Sequence, residues 1–172
     1  MADQNLVYKP GLNMPSRKQK GLIKLFGGLA VPFYKVDTVM LEGTPVKPSA
    51  TAHTVELPLN TEGAKVIGLA MQETYDESAF GQLKGYHFVN DTRQRLDGMP
   101  IGILTGVGYA LTNNYVGAVT WGDKAYLALN ATTVTGKMTK AVTANNALPI
   151  VFEGTGTDGD KMVRIRFNFP LA

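Results

Sequence analysis

The chain has 172 residues and no cysteine, and its 17 Lys and Arg against 14 Asp and Glu give a formal net charge of +3. That length can bury a core of its own, and the lack of thiols excludes disulfides, thiolate ligands and cysteine nucleophiles. No apolar run of about 18 residues is present, which speaks against a helical membrane span. The N-terminus shows no basic-then-apolar leader, so the chain is expected to be made and kept in the cytoplasm of its producing cell unless assembly carries it elsewhere.

The charge is uneven. Residues 1–48 hold seven Lys and Arg against three acids, a net +4, while the remainder holds ten against eleven, a net −1. Residues 1–20 are polar, broken by Pro10, Gly11 and Pro15, and group Arg17, Lys18 and Lys20. They read as a disordered tail or as an arm that orders on a partner. Aromatics able to stack on bases are sparse in this half, so a protein surface is expected as partner ahead of nucleic acid. Residues 22–34 (LIKLFGGLAVPFY) are apolar, and Gly27-Gly28 and Pro32 argue against a helix. They read as an edge strand or extended segment packed on the body or on a neighbouring subunit. With the Gly- and Pro-bearing loop at 35–50, the division is an extended N-terminal arm and loop at 1–50 and a β-rich body at 51–172.

In the body, 54–59 reads as a strand, 60–63 as a turn and 65–71 as a buried strand. Residues 74–84 predict one short helix. Thr74 with Glu77 has capping-box spacing, Tyr75, Ala79 and Leu83 share a face, and Gly85 stands where a helix would end. From Met99 to Tyr126 the sequence alternates. Ile101, Ile103, Thr105, Val107, Tyr109 and Leu111 fall on one side, and Gly102, Leu104, Gly106, Gly108 and Ala110 on the other. The bulky side is expected in the core, and the glycine-stripped side is where another backbone can come close. Turns at Thr112–Asn114 and Gly122-Asp123 predict a three-strand meander. Residues 132–146 read as a loop or exposed hairpin. Leu148–Glu153 and Met162–Phe169 predict a closing hairpin, with Val163, Ile165, Phe167 and Phe169 inward and Arg164, Arg166 and Asn168 outward.

Motifs for chemistry are weak. Gly154–Gly159 matches G-x-G-x-x-G, but a strand follows where a dinucleotide site needs a helix. Asp158 and Asp160 offer too few oxygens for calcium. His53 and His87 have no Gly-x-Ser-x-Gly elbow or orienting group beside them, and two histidines are too few for zinc. Trp121, the single tryptophan, reads as a core plug ahead of an interface anchor. No catalytic, cofactor-binding or metal-ligating residues are therefore assigned, and a non-enzymatic binding or structural module is expected.

The run PIGILTGVGYALTNNYVGAVTWGDKAYL, the closing GTGTDGDKMVRIRFNF and the preceding QETYDESAFGQLKGYHFVNDTRQ resemble the capsid decoration, or structural cement, proteins of tailed bacteriophages. The resemblance covers roughly residues 50–172 and, more loosely, the arm. It implies a small antiparallel β-barrel or β-sandwich that clips onto the outer capsid surface of the virion. Such a protein bridges neighbouring major capsid proteins and stabilises the head, often as a homotrimer, with a dimer as the next expectation. It also implies an arm lying across the major capsid protein, for which Arg17, Lys18, Lys20, Leu22, Lys24, Leu25 and Phe26 are the candidate contacts. No cofactor, direct nucleic-acid contact or membrane contact is expected. A second reading is a fibre- or baseplate-type adhesion module of the virion, and a third is an enzyme with an unrecognised carbohydrate site.

Overall fold

The structure, a computed structural model, describes residues 21–35, 40–71, 73–75, 94–96, 100–142 and 146–170. Among the described residues, short apolar runs separated by turn residues form thirteen strands. These are β1 (Leu22–Lys35), β2 (Pro45–Pro48), β3 (Thr54–Glu56), β4 (Gly68–Ala70), β5 (Glu73–Tyr75), β6 (Gln94–Leu96), β7 (Pro100–Thr112), β8 (Ala118–Val119), β9 (Lys124–Asn130), β10 (Thr133–Thr139), β11 (Ala147–Phe152), β12 (Gly156–Thr157) and β13 (Val163–Asn168). The protein is mainly β. Among the described residues helix is confined to a 3-10 turn at Gly63–Lys65.

The long strand β7 organises the sheet. One of its edges pairs with β1, from Leu22 opposite Thr112 to Tyr34 opposite Pro100. Its other edge is shared. Leu104 and Ile103 pair with Leu69 and Ala70 of β4, and Val107 to Thr112 pair with Asn168 to Val163 of β13. The sheet forks between these two partners at Gly106, whose φ of 78° favours glycine. The carbonyl of Gly106 accepts the Phe169 N–H at 2.8 Å. On one branch the pairings run β7–β4–β2–β3–β1 and return to β7, a small closed ring. On the other branch β13, β11, β9 and β10 follow in order, all antiparallel, and curl into a half-barrel.

Two bulges bend the β1–β7 ribbon. Leu25 is the extra residue between Lys24, opposite Ala110, and Phe26, opposite Tyr109. A second shift lies between Gly27, opposite Gly108, and Leu29, opposite Thr105. Extra residues of this kind raise local twist and curl a sheet. The strands come so close that a Cβ on Gly108 would lie 2.8 Å from the Gly27 carbonyl carbon and 2.9 Å from the Gly28 nitrogen. The backbone that approaches the glycine-rich face is thus the chain's own β1. Leu22–Tyr34 lies in the same sheet as residues beyond 50.

Two apolar clusters fill the interior. Leu104, Ala110, Tyr115, Leu127, Phe152, Ile165 and Phe167 belong to the larger, under the half-barrel. Met40, Val46, Val55, Ile67, Ile101 and Ile103 belong to the smaller, at the ring. Val163, Ile165, Phe167 and Phe169 point inward while Arg164, Arg166 and Asn168 point out, as their alternation predicts. β11 pairs with β13 as the closing hairpin, although β13 is an interior strand between β11 and β7.

Several expectations are corrected. On β7 the bulky side is buried only in its first half. From Val107 onward the small side, Gly108, Ala110 and Thr112, faces the core, because β13 takes over the neighbouring edge and turns Phe167, opposite Gly108, inward. The meander does not form in sequence order: β8 pairs with β12, and β9 with β10 and β11. Residues 133–139 are a strand, bulged against β9 between Val134 and Met138, with both of those side chains buried. Pro45–Pro48 is a strand within the expected loop. Thr74 and Tyr75 lie in β5, paired parallel with β6, so Thr74 caps no helix there. Both residue types favour strands. The rest of the expected helix, 76–84, lies outside the described residues.

Candidate functional surface

The outward face of the curled sheet gathers side chains that its inward alternation leaves over. Cross-strand neighbours share a face, and the strand registers form a row from Phe26 on β1 through Tyr109, Arg166 and Val151 to Lys124 on β9. A second row places Ile23, Leu111 and Arg164 side by side. Phe26 is 75% exposed and Val107 is 65% exposed, both large for apolar side chains in a sheet.

Trp121 joins this face from the turn before β9. Asp123 fixes that turn: its carboxylate accepts the Thr120 N–H at 2.8 Å and the Thr120 hydroxyl at 2.9 Å. Gly122, with φ of 88°, donates its N–H to the Phe152 carbonyl at 2.8 Å. Trp121 is thereby held 64% exposed, which corrects the expectation that it plugs the core. The Arg164 guanidinium lies over both rings, 5.3 Å from the centroid of Trp121 and 5.6 Å from that of Tyr109. Arg164 Nη2 also stands 2.9 Å from Glu153 Oε2, and Arg166 Nε stands 3.6 Å from Glu153 Oε1. Cation–π contact and ion pairing therefore lock an aromatic–arginine platform on a rigid sheet.

The candidate contact residues of the arm divide. Leu22 is buried in the larger core, so it is no surface contact; its register opposite the inward Thr112 turns it there. Lys24 is exposed and donates to the Gly28 carbonyl at 3.0 Å. Leu25 and Phe26 are exposed, the former because the bulge leaves it without a partner strand position. Arg17, Lys18 and Lys20 lie outside the described residues. Tyr109, Trp121, Arg164, Arg166 and Glu153 were not among the candidates, although the outward phase of Arg164 and Arg166 is readable from β13.

The remaining chemistry-bearing residues serve the fold. Asp158 accepts the Gly117 N–H at 2.6 Å. Asp160 accepts the Thr157 N–H at 2.9 Å and lies 3.0 Å from the Tyr115 hydroxyl. The G-x-G-x-x-G stretch holds β12 and leads into β13, with no helix after it. His53 is exposed with φ of 59°, and His87 lies outside the described residues. Among the described residues no three His, Asp or Glu side chains gather as metal ligands, and no helix is long and apolar enough to cross a membrane. Comparison with known protein families and with curated proteins finds no match for the chain.

Proposed function

We propose that this chain is a structural protein of a phage virion that binds the outer surface of the head and cements it by bridging neighbouring major capsid proteins. The observation that carries this reading is the outward face on which Phe26 and Trp121 are exposed and Arg164 lies over the rings of Tyr109 and Trp121. Tyr, Trp, Phe and Arg are the residue types enriched where protein surfaces meet. Phe26, Tyr109 and Arg164 stand on strands, and Trp121 stands in a turn tied by Asp123 and Gly122, a placement that suits a part that must resist force without rearranging. The resemblance of 50–172 to decoration proteins supplies the virion context and favours a homotrimer, then a dimer, on the shell.

Mixing the purified protein with heads that lack it, followed by sedimentation, tests the reading. Saturable co-sedimentation, with heads that survive a higher temperature or chelator challenge, is expected. Heads that pellet without the protein at micromolar concentration would refute it.

A further inference from the structure

We infer that the Phe26–Tyr109–Trp121 face docks against an acidic protein surface, with Arg166 as its charged anchor. This rests on the virion reading and adds the chemistry of what the face meets.

The two outward arginines of β13 are not equivalent. Arg164 is engaged on three sides, by Glu153 at 2.9 Å and by the rings of Trp121 and Tyr109. Arg166 keeps a 55% exposed side chain, and its ion pair among the described residues is the 3.6 Å approach of Nε to Glu153. A guanidinium carries five N–H donors in a planar fork, so most of the Arg166 fork faces solvent. It stands in the row between Tyr109 and Val151, with Lys124 beyond. Arg164, Arg166 and Lys124 against Glu153 leave the face at +2. A carboxylate of a partner can take the fork of Arg166 in two parallel bonds, while Phe26 and Val107 bury in an apolar patch beside it.

A nucleic acid fits less well. On this face Glu153 pairs with both Arg164 and Arg166 and so takes up part of their charge. The outermost groups, Phe26 and Val107, are apolar. Neither supplies the dense cation track that phosphates need.

The chain has a single tryptophan, so Trp121 reports on this face directly. Acrylamide quenching of its fluorescence is measured on the free protein and on the protein bound to heads that lack it, with binding followed in parallel by sedimentation. Arg166→Glu and Arg166→Lys are compared with the wild-type chain, their folding checked by thermal melting. The inference expects quenching to fall on binding, with a blue shift in emission. It expects Arg166→Glu to weaken binding by on the order of thirty-fold or more, as losing a desolvated charge pair does. Arg166→Lys, which keeps charge but loses the fork, should fall between. Binding with Trp121 as open to acrylamide as in the free protein, or unchanged by Arg166→Glu, would overturn the inference and leave the virion reading standing. Lack of binding by the wild-type chain would remove both. Displacement of Trp121 protection by a single-stranded oligonucleotide, at a concentration where poly-glutamate has no effect, would overturn the acidic-protein assignment in favour of nucleic acid.

Discussion

At the residue scale, Glu62 is the busiest charge in the described structure. Its Oε2 accepts from Lys47 at 2.7 Å and from the Leu59 N–H at 2.9 Å, and its Oε1 from Lys65 at 2.7 Å. Lys47 also reaches Glu56 at 2.9 Å. The hydrogen bond from Lys47, then those from Lys65 and Leu59, hold the Glu62 carboxyl down to about 2. A carboxyl whose folded value lies below its unfolded one stabilises the fold above the unfolded value, and that contribution disappears as pH falls through the folded value. Glu62→Gln should therefore lower the denaturant midpoint at neutral pH. The gap from wild type should narrow from about pH 4.5 and close near pH 2, as a denaturation series across that range would show. Lys47 shifts upward, from its bonds to Glu62 and then Glu56, so its share is lost only in strong base.

Tyr115 makes a comparable point in the core. It is fully buried, with its hydroxyl 3.0 Å from Asp160 Oδ1 and 3.0 Å from the Lys161 carbonyl oxygen. Burial first, and Asp160 second, push its phenol up to about 12. Tyr115→Phe keeps the ring packed edge-on to Phe152 but strands the Lys161 carbonyl. It should cost about 1–3 kcal/mol in equilibrium unfolding, the usual penalty for a buried partner left unmade.

At the element scale, β13 and the β1–β7 ribbon carry the sheet. Phe167 is fully buried and stacks on Phe169 with centroids 5.6 Å apart. Phe167→Ala should cost about 3–5 kcal/mol, read as a lowered Tm. Gly108→Ala forces a methyl against the β1 backbone and should cost about 1–3 kcal/mol, as overpacking does. Gly102→Ala, where the nearest atom is the flexible Met71 sulfur at 3.4 Å, should be close to neutral. β13 was legible because Val163 to Phe169 alternate without interruption and one face is buried along its whole length. β7 was legible as a strand but not in its facing. Its odd positions are bulky throughout, yet only Ile101, Ile103 and Thr105 are covered, since the fork at Gly106 hands the outer edge from β4 to β13. The helix expected from Thr74 rested on capping-box spacing, on the shared face of Tyr75, Ala79 and Leu83 and on Gly85, all local signals. At its described end, strand pairing at Glu73–Tyr75 prevails.

At the scale of the whole molecule, turns and alternation foretold a mainly β protein, but not which strands would meet. The ring needs β1 to reach β3, about twenty residues on in sequence, and β7, some seventy-five residues on. No local pattern encodes such a closure. The surface was half legible for the same reason. Leu25 and Phe26 were candidates because they lie in an apolar run, whereas the Arg164 clamp on Tyr109 and Trp121 draws on three distant segments. Arg164→Ala removes that contact with Trp121, so it should raise acrylamide quenching in the free protein while the Tm falls only modestly.

We propose that this chain sits on a phage head through its aromatic face. An image reconstruction of the intact head tests it most directly. The expected result is density for the chain on the outer shell, spanning neighbouring capsid proteins, with Phe26, Tyr109 and Trp121 turned toward them. A shell without that density, or with the chain attached elsewhere and this face in solvent, would contradict it.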